Sequence, residues 1–187
     1  MQSGLEGPWA QVGYNQSPVR GELMRWKATA VILAALMLAV GLAAKPGEVA
    51  PDFRLSDASG KTYSLASFRG KPVILTFWAS WCPVCKAEFP KLHQIAQQYR
   101  VPFVVISREP KDTASVVLAY MKAYPAFLPL LALPGGDTPT AVASRFKVLG
   151  QPWTFVLDGE GRIVNLYAGP VEAEAIKDDL ALAGYVP

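Results

Sequence analysis

Histidine and cysteine are scarce in this chain, which has one histidine and two cysteines among its 187 residues. A structural zinc site takes four ligands, and the sequence holds no second Cys-x-x-Cys pair that would complete such a set. The sequence also lacks a run of lysine and arginine interleaved with aromatic residues, the pattern that binds nucleic-acid phosphates. The net charge is only +3, and there is no acidic tail. These absences disfavour a structural zinc domain and a nucleic-acid-binding protein.

Charged residues are also missing from one apolar block near the N-terminus, which runs from Ala28 to Ala44 and is interrupted only by Thr29. A membrane-spanning helix needs about 20 apolar residues, with a range of about 17–25, so the block suits a short anchor or a long signal-peptide core. Arg25 and Lys27 precede the block, and positive charge marks the cytoplasmic side of a membrane segment. We expect an uncleaved anchor in the cytoplasmic membrane, with the following domain facing the periplasm or the cell exterior. Cleavage would instead release that domain outside the cytoplasm.

Three segments are expected along the chain. Residues 1–23 show no periodicity and are interpreted as an unstructured leader, or as residues upstream of a true start at Met24. Residues 24–45 hold the signal anchor or signal peptide. Residues 46–187 have the length of one globular domain.

Apolar periodicity and turn residues predict that this domain is α/β. Val73–Trp78 is a continuous β-branched and aromatic run, typical of a strand buried on both faces, and a helix with one apolar face is predicted from Pro83 to Tyr99. The apolar, proline-rich residues 124–134 are expected to form an irregular connection. The other predicted elements are hairpin strands at 53–55 and 61–65, a strand at 102–106, helices at 113–123, 139–146 and 171–183, and hairpin strands at 153–157 and 163–167. This order predicts a central mixed sheet covered by helices on both faces.

The two cysteines form a Cys82-Pro83-Val84-Cys85 motif directly after the predicted strand at 73–78. A disulfide in an exported domain can be structural, but a bond across so short a loop removes little entropy from the unfolded chain. A cysteine at the start of a helix lies at the positive end of the helix dipole, which stabilises a thiolate. Such motifs lower the thiol pKa from about 8.5 to about 3.5–7.5, which provides a nucleophile for disulfide exchange. The motif therefore predicts redox chemistry.

The segment Phe77–Pro90, with the sequence FWASWCPVCKAEFP, resembles the active-site segment of membrane-anchored thioredoxins of the TlpA/ResA/CcmG type. The resemblance extends over residues 50 to 183, from the opening Ala50-Pro51-Asp52-Phe53 to the closing segment that includes Val148–Pro152. It implies a thioredoxin-like fold with an N-terminal β-hairpin extension. It also implies a thiol-disulfide oxidoreductase, and within that class a reductase of specific extracytoplasmic proteins.

By the same resemblance, Cys82 is the attacking cysteine, Cys85 resolves the mixed disulfide, and Glu88 matches the active-site glutamate of the family. No cofactor is expected beyond the redox-active Cys82–Cys85 disulfide. The expected electron donor is a membrane thiol carrier, and the expected substrate is a protein disulfide, for instance in apocytochrome c or a copper-site assembly protein. The implied active-site neighbours are Trp81, Pro83, Val84, Gln151 and Pro152, the last as a cis-proline that faces the cysteine pair.

Four residues, Thr76, Pro83, Val84 and Gln151, depart from thioredoxin patterns. Thr76 lies where cytoplasmic thioredoxins carry a buried aspartate, so proton transfer falls to Glu88, to water or to no group. The Pro83-Val84 pair replaces Gly-Pro and leaves the redox potential open, and Gln151 replaces the usual Thr, Val or Ile and leaves the substrate open. We expect an exposed Cys82 thiolate, a shielded Cys85, and a half-buried Glu88 with a raised pKa.

Three alternatives compete with the reductase hypothesis. A disulfide oxidant or isomerase of the same fold would use the same cysteine pair. A peroxidase of the peroxiredoxin type needs a threonine three residues before its cysteine, where this chain has Ala79. A Cu(I)-binding module needs a distant histidine, whereas His93 follows the cysteines on the same predicted helix and is expected to be a surface or partly packed residue.

Overall fold

The computed structural model describes residues 44–186. Residues 1–23 and nearly all of the predicted anchor lie outside this range. Within it, no helix combines the length and the apolar character needed to cross a membrane. The strands are β1 Leu55–Ser56, β2 Thr62–Tyr63, β3 Val73–Trp78, β4 Phe103–Ser107, β5 Phe127–Leu130, β6 Trp153–Leu157 and β7 Ile163–Ala168, and the helices are α1 Pro83–Tyr99, α2 Ala114–Met121, α3 Pro139–Arg145 and α4 Ala173–Leu182, with a 3₁₀ turn at Leu65–Phe68.

A five-stranded mixed sheet in the order β5-β4-β3-β6-β7 forms the centre of the domain. Strand β3 is parallel to β4 and antiparallel to β6, and all six of its residues are buried. Because successive side chains of a strand point to opposite faces, Ile74 and Trp78 pack into one hydrophobic cluster, and Leu75 and Phe77 pack into another. The predicted thioredoxin-like sheet is confirmed.

Helices cover both faces of this sheet. The cluster that contains Trp78 also takes residues of α1, α2 and α4, such as Phe89, Val117 and Ile176. The cluster that contains Phe77 takes residues of α3 and of the segment before β1. The predicted covering of both faces is therefore confirmed.

The opening hairpin is present but shorter than predicted. Strands β1 and β2 form a two-stranded antiparallel sheet in which Leu55 pairs with Tyr63. The prediction that strand 61–65 reaches Leu65 is wrong, because Leu65 begins the 3₁₀ turn. Ser64 precedes that turn and shares a reciprocal capping box with Ser67, which favours the turn over further pairing.

The prediction of an irregular connection at residues 124–134 is also wrong, since β5 lies within it. Phe127 and Leu130 of β5 are buried, and the strand pairs in parallel with β4. Pro129 has no N–H to donate, but β5 lies at the edge of the sheet, where a missing donor is tolerated.

The residues before β1 are held against the closing hairpin β6–β7. The Gly47 N–H donates to the Ile163 carbonyl at 2.7 Å, and the Ile163 N–H donates to the Glu48 carbonyl at 2.8 Å. Ala44 and Ala50 are buried in the cluster that contains Phe77. The folded domain therefore includes the residues that directly follow the predicted anchor.

Candidate active site

The cysteine motif occupies the junction between β3 and α1. Cys82 is the N-cap residue of α1, and Pro83 begins the helix, where the missing N–H of a proline has no cost. The Cys85 N–H donates to Cys82 Sγ at 3.1 Å. The two cysteines form a disulfide with their Cα atoms 5.4 Å apart. The Cys82 sulfur therefore lies where helix N–H groups stabilise negative charge after reduction.

In this disulfide form neither cysteine is exposed, and the exposed Cys82 thiolate of the reduced form stays a prediction. Cys82 is 3% exposed and Cys85 is 0% exposed, because both pack into the cluster that contains Trp78. Trp81, which precedes Cys82, and Val84, which precedes Cys85, are 59% and 45% exposed. Solvent therefore meets an apolar surface made by these two side chains around a nearly covered disulfide.

Pro152 lies at the same end of the sheet as the cysteine motif. The Gln151–Pro152 peptide bond is cis, as predicted. Trp153, the next residue, pairs with Phe77 near the end of β3, and the cysteine loop begins just beyond that end. Contact between Pro152 and the sulfurs stays a prediction.

Glu88 lies one helical turn beyond Cys85, and it is 7% exposed. Its Oε2 accepts a hydrogen bond from the Val171 N–H at 3.2 Å, and its buried Oε1 has no hydrogen-bond partner among the described residues. Burial raises the pKa of this carboxyl from 4.5 to about 7, although the bond from Val171 opposes the shift. The raised pKa agrees with the prediction, but Glu88 is buried rather than half-buried, because it packs on the α1 side against Val171. Its carboxyl can gain or lose a proton near neutral pH.

Two other positions considered from the sequence take up structural contacts. The hydroxyl groups of Thr76 and Thr154 are 3.0 Å apart and both residues are fully buried, so Thr76 joins β3 to β6. His93 is half-buried, as expected, and its Nε2 accepts a hydrogen bond from the Ala126 N–H at 3.2 Å. This bond uses a ring nitrogen that a copper ion would need.

A third loop, residues 108–113 between β4 and α2, takes part in the site and was not predicted from the sequence. Asp112 accepts hydrogen bonds from the Ser80 N–H, the Ser80 hydroxyl and the Ser107 hydroxyl. Glu109 accepts from the Trp81 indole N–H at 2.7 Å, and the Trp81 bond is the main cause that lowers the Glu109 pKa. The sequence feature that could have revealed this loop is the polar run directly after the buried strand β4. Polar groups that follow neighbouring parallel strands lie at the same end of the sheet.

The comparisons with known proteins agree with this geometry. The sequence of residues 46–166 matches the sequence model of the AhpC/TSA family. The chain belongs to the AhpC/TSA family. A curated relative of this AhpC/TSA protein, the thiol-disulfide oxidoreductase ResA of Bacillus subtilis, is 31% identical over 137 residues, which cover 73% of this chain and 74% of ResA.

Solved structures related to this AhpC/TSA protein point to the same chemistry. A thio-disulfide isomerase from Thermus thermophilus is 58% identical with a TM-score of 0.72, over 76% of this chain and 99% of that one. A thiol:disulfide interchange protein of the DsbE type from Chlorobium tepidum is 25% identical with a TM-score of 0.64, over 74% and 96%. Together with the Cys82–Cys85 disulfide, these relatives identify the chain as a thiol-disulfide oxidoreductase, and the resemblance to ResA and related thioredoxins is confirmed.

Proposed function

We propose that this chain is a protein disulfide reductase that acts outside the cytoplasm on specific substrates. The observation that supports it is the Cys82–Cys85 disulfide at the start of α1, combined with the buried carboxyl of Glu88, whose raised pKa suits a proton acceptor near neutral pH. The similarity to ResA, a thiol-disulfide oxidoreductase, adds support. In this proposal Trp81, Pro83, Val84, Gln151 and Pro152 form the surface that meets the substrate.

The reaction starts from the reduced dithiol form of the protein. The Cys82 thiolate attacks one sulfur of the substrate disulfide, and the other substrate sulfur leaves as a thiolate that takes a proton. Cys85 then gives its proton to Glu88 and attacks the Cys82 sulfur, which releases the second substrate thiol. Two electrons pass to the substrate, which ends as a dithiol, and the protein ends as the Cys82–Cys85 disulfide.

A membrane thiol carrier is the proposed source of electrons that restores the dithiol. The N-terminal apolar block is proposed to hold the domain at the membrane, on the periplasmic or outer side. The proposed substrate is a protein disulfide, of which apocytochrome c and copper-site assembly proteins are examples. A relative from Streptococcus pneumoniae described as an exposed lipoprotein thioredoxin, 29% identical with a TM-score of 0.58, supports an extracytoplasmic place.

Trapping of the mixed disulfide tests the roles of the two cysteines. In Cys85→Ala, attack by Cys82 leaves the substrate bound because no second thiol resolves the intermediate. We expect disulfide-linked adducts with this variant on non-reducing gels and in mass spectra, and none with Cys82→Ala. Adducts formed through Cys85 in Cys82→Ala would contradict the proposed roles.

The direction of electron flow has a second candidate, a disulfide isomerase or oxidant, which the description of the Thermus thermophilus relative favours. Equilibration of the purified protein with glutathione distinguishes the two. A midpoint near the thioredoxin value of about −270 mV supports a reductant, whereas one near about −120 mV supports an oxidant.

A further inference from the structure

Arg108 joins the end of β3, next to the cysteine motif, to the cis-proline loop, which comprises residues 146–152 between α3 and β6. It follows Ser107, which pairs with Trp78 at the end of β3, and its N–H donates to the Trp78 carbonyl at 2.9 Å. Its Nη1 donates to Gln151 Oε1 at 2.7 Å. The guanidinium group therefore lies beside the residue that precedes Pro152.

The Arg108 guanidinium has no anionic partner within residues 44–186. No carboxylate there lies within 4.0 Å of it, and its buried Nε has no hydrogen-bond partner. The two acidic side chains of the same loop bind elsewhere, since Glu109 accepts from Trp81 and Asp112 accepts from Ser80. A half-buried cation without a counter-ion is costly, so an anion that approaches from outside gains more here than at an open surface.

We propose that Arg108, oriented by Gln151, is a specificity-determining residue that binds a carboxylate next to the reacting cysteine of the substrate. A guanidinium presents five N–H donors in a planar fork that fits a carboxylate, and the bond to Gln151 uses only one nitrogen. A glutamine here holds the fork in place without cancelling its charge. The inference rests on the proposed function, because it requires that the substrate cysteine bind at Cys82 beside the cis-proline loop.

Two sources could supply this carboxylate. One is an acidic residue that neighbours the cysteine in a protein substrate, and the other is a carboxylate of a small thiol peptide such as glutathione. Both present the same group to Arg108, so the experiment includes a separate arm for each.

The test measures how fast the reduced protein reduces disulfide-linked peptide dimers that carry Glu, Gln or Lys beside the cysteine. The proteins are the wild type, Arg108→Gln, Arg108→Lys and the matched control Arg69→Gln. Arg69 is exposed and precedes the start of β3, at the opposite end of the strand from the cysteines, so its loss removes the same charge from a remote place.

In the wild type we expect the Glu peptide to react about five-fold faster than the Gln peptide, the upper range for a solvent-accessible ion pair. The ratio of the rates with the Glu and Gln peptides should fall to about one in Arg108→Gln. It should fall less in Arg108→Lys and stay unchanged in Arg69→Gln. Glutathione disulfide is measured in parallel. A loss of rate with the Glu peptide in Arg108→Gln assigns the site to protein substrates, and a loss with glutathione disulfide alone assigns it to the small thiol; either supports the carboxylate site.

Equal wild-type rates with all peptides and no effect of Arg108→Gln on glutathione disulfide would overturn the inference while leaving the proposed function intact. Absence of exchange with every substrate would instead refute the proposed function. Should Arg108→Gln fail to fold, the dependence of the wild-type rates on ionic strength tests the inference instead. The Glu-to-Gln ratio should then decline towards one as ionic strength rises, and a ratio insensitive to salt would contradict the inference.

Discussion

Glu88 is the residue whose protonation most directly connects the fold with the proposed chemistry. Its pKa is about 7 in the folded protein and 4.5 in its ordinary state, because burial disfavours the charged form. Between these values the folded protein holds a proton that the unfolded chain has released. Folding stability therefore falls as the pH rises from about 4.5 through about 7.

We predict that Glu88→Gln removes this pH dependence. Well above pH 7 the wild type should carry a penalty of about 3 kcal/mol relative to its low-pH stability, and the variant should not. Urea unfolding of the oxidised proteins between pH 4 and pH 8.5 measures it, with the exposed Glu160→Gln as the control. Parallel stability curves for the wild type and Glu88→Gln would show that the carboxyl titrates as in water.

The same variant should slow the second step of the reaction. Without a carboxylate to accept the Cys85 proton, resolution of the mixed disulfide is expected to be slower near pH 7, while the first attack by Cys82 stays possible. Rapid-quench measurements of the adduct give both rates. Unchanged turnover and unchanged alkylation profiles of both cysteines in Glu88→Gln would reduce Glu88 to a structural residue.

At the scale of elements, strand β3 is joined to its neighbour β6 by backbone pairing and by one buried pair of polar side chains. Thr76 and Thr154 satisfy each other, so Thr76→Val or Thr154→Val alone should cost about 1–3 kcal/mol, because the remaining hydroxyl is buried without a partner. The double variant should recover most of that loss. A double-mutant cycle from urea unfolding measures the coupling, and strictly additive losses would contradict it.

The loop between β4 and α2 holds the cysteine loop through Asp112. Asp112→Ala removes an acceptor from the N–H and the hydroxyl of Ser80, and we expect it to destabilise the oxidised protein by about 1–2 kcal/mol. The rate of Cys82 alkylation in the reduced protein should change as well, because Ser80 lies two residues before Cys82. The exposed Asp178→Ala is the control, and equal effects of the two variants would show that the loop does not need this anchor.

Elements specified by local sequence were predictable, and those specified by distant contacts were not. The buried run of β3 and the apolar face of α1 define these two elements without reference to the rest of the chain. Strand β5 was missed because Pro129 is acceptable only at a sheet edge, and edge position is a property of the assembled sheet. The contacts of Arg108 with Gln151 and of Asp112 with Ser80 join loops more than 30 residues apart, which no spacing rule reveals.

At the scale of the whole molecule, the residues of the candidate active site lie at one end of the central sheet. The cysteine loop follows β3, the loop with Arg108 follows β4, and the cis-proline precedes the antiparallel strand β6, so all three lie at the same end. The other end carries the contacts of the residues before β1 with the closing hairpin. The site is therefore built at the end of the sheet remote from the start of β3.

The place of the domain in the cell is a property of the whole chain and gives the last prediction. The charges of Arg25 and Lys27 precede the apolar block, and positive charge stays in the cytoplasm, so the cysteine-containing domain should lie outside it. Alkaline phosphatase, which folds only where disulfides form, is expected to be active when joined after residue 60 or after residue 187. A reporter that works only in the cytoplasm should be inactive at both junctions. Replacing Arg25 and Lys27 with glutamate should lower phosphatase activity, whereas Lys45→Glu beyond the block should not. An active cytoplasmic reporter at residue 60 in the unmodified chain would refute export.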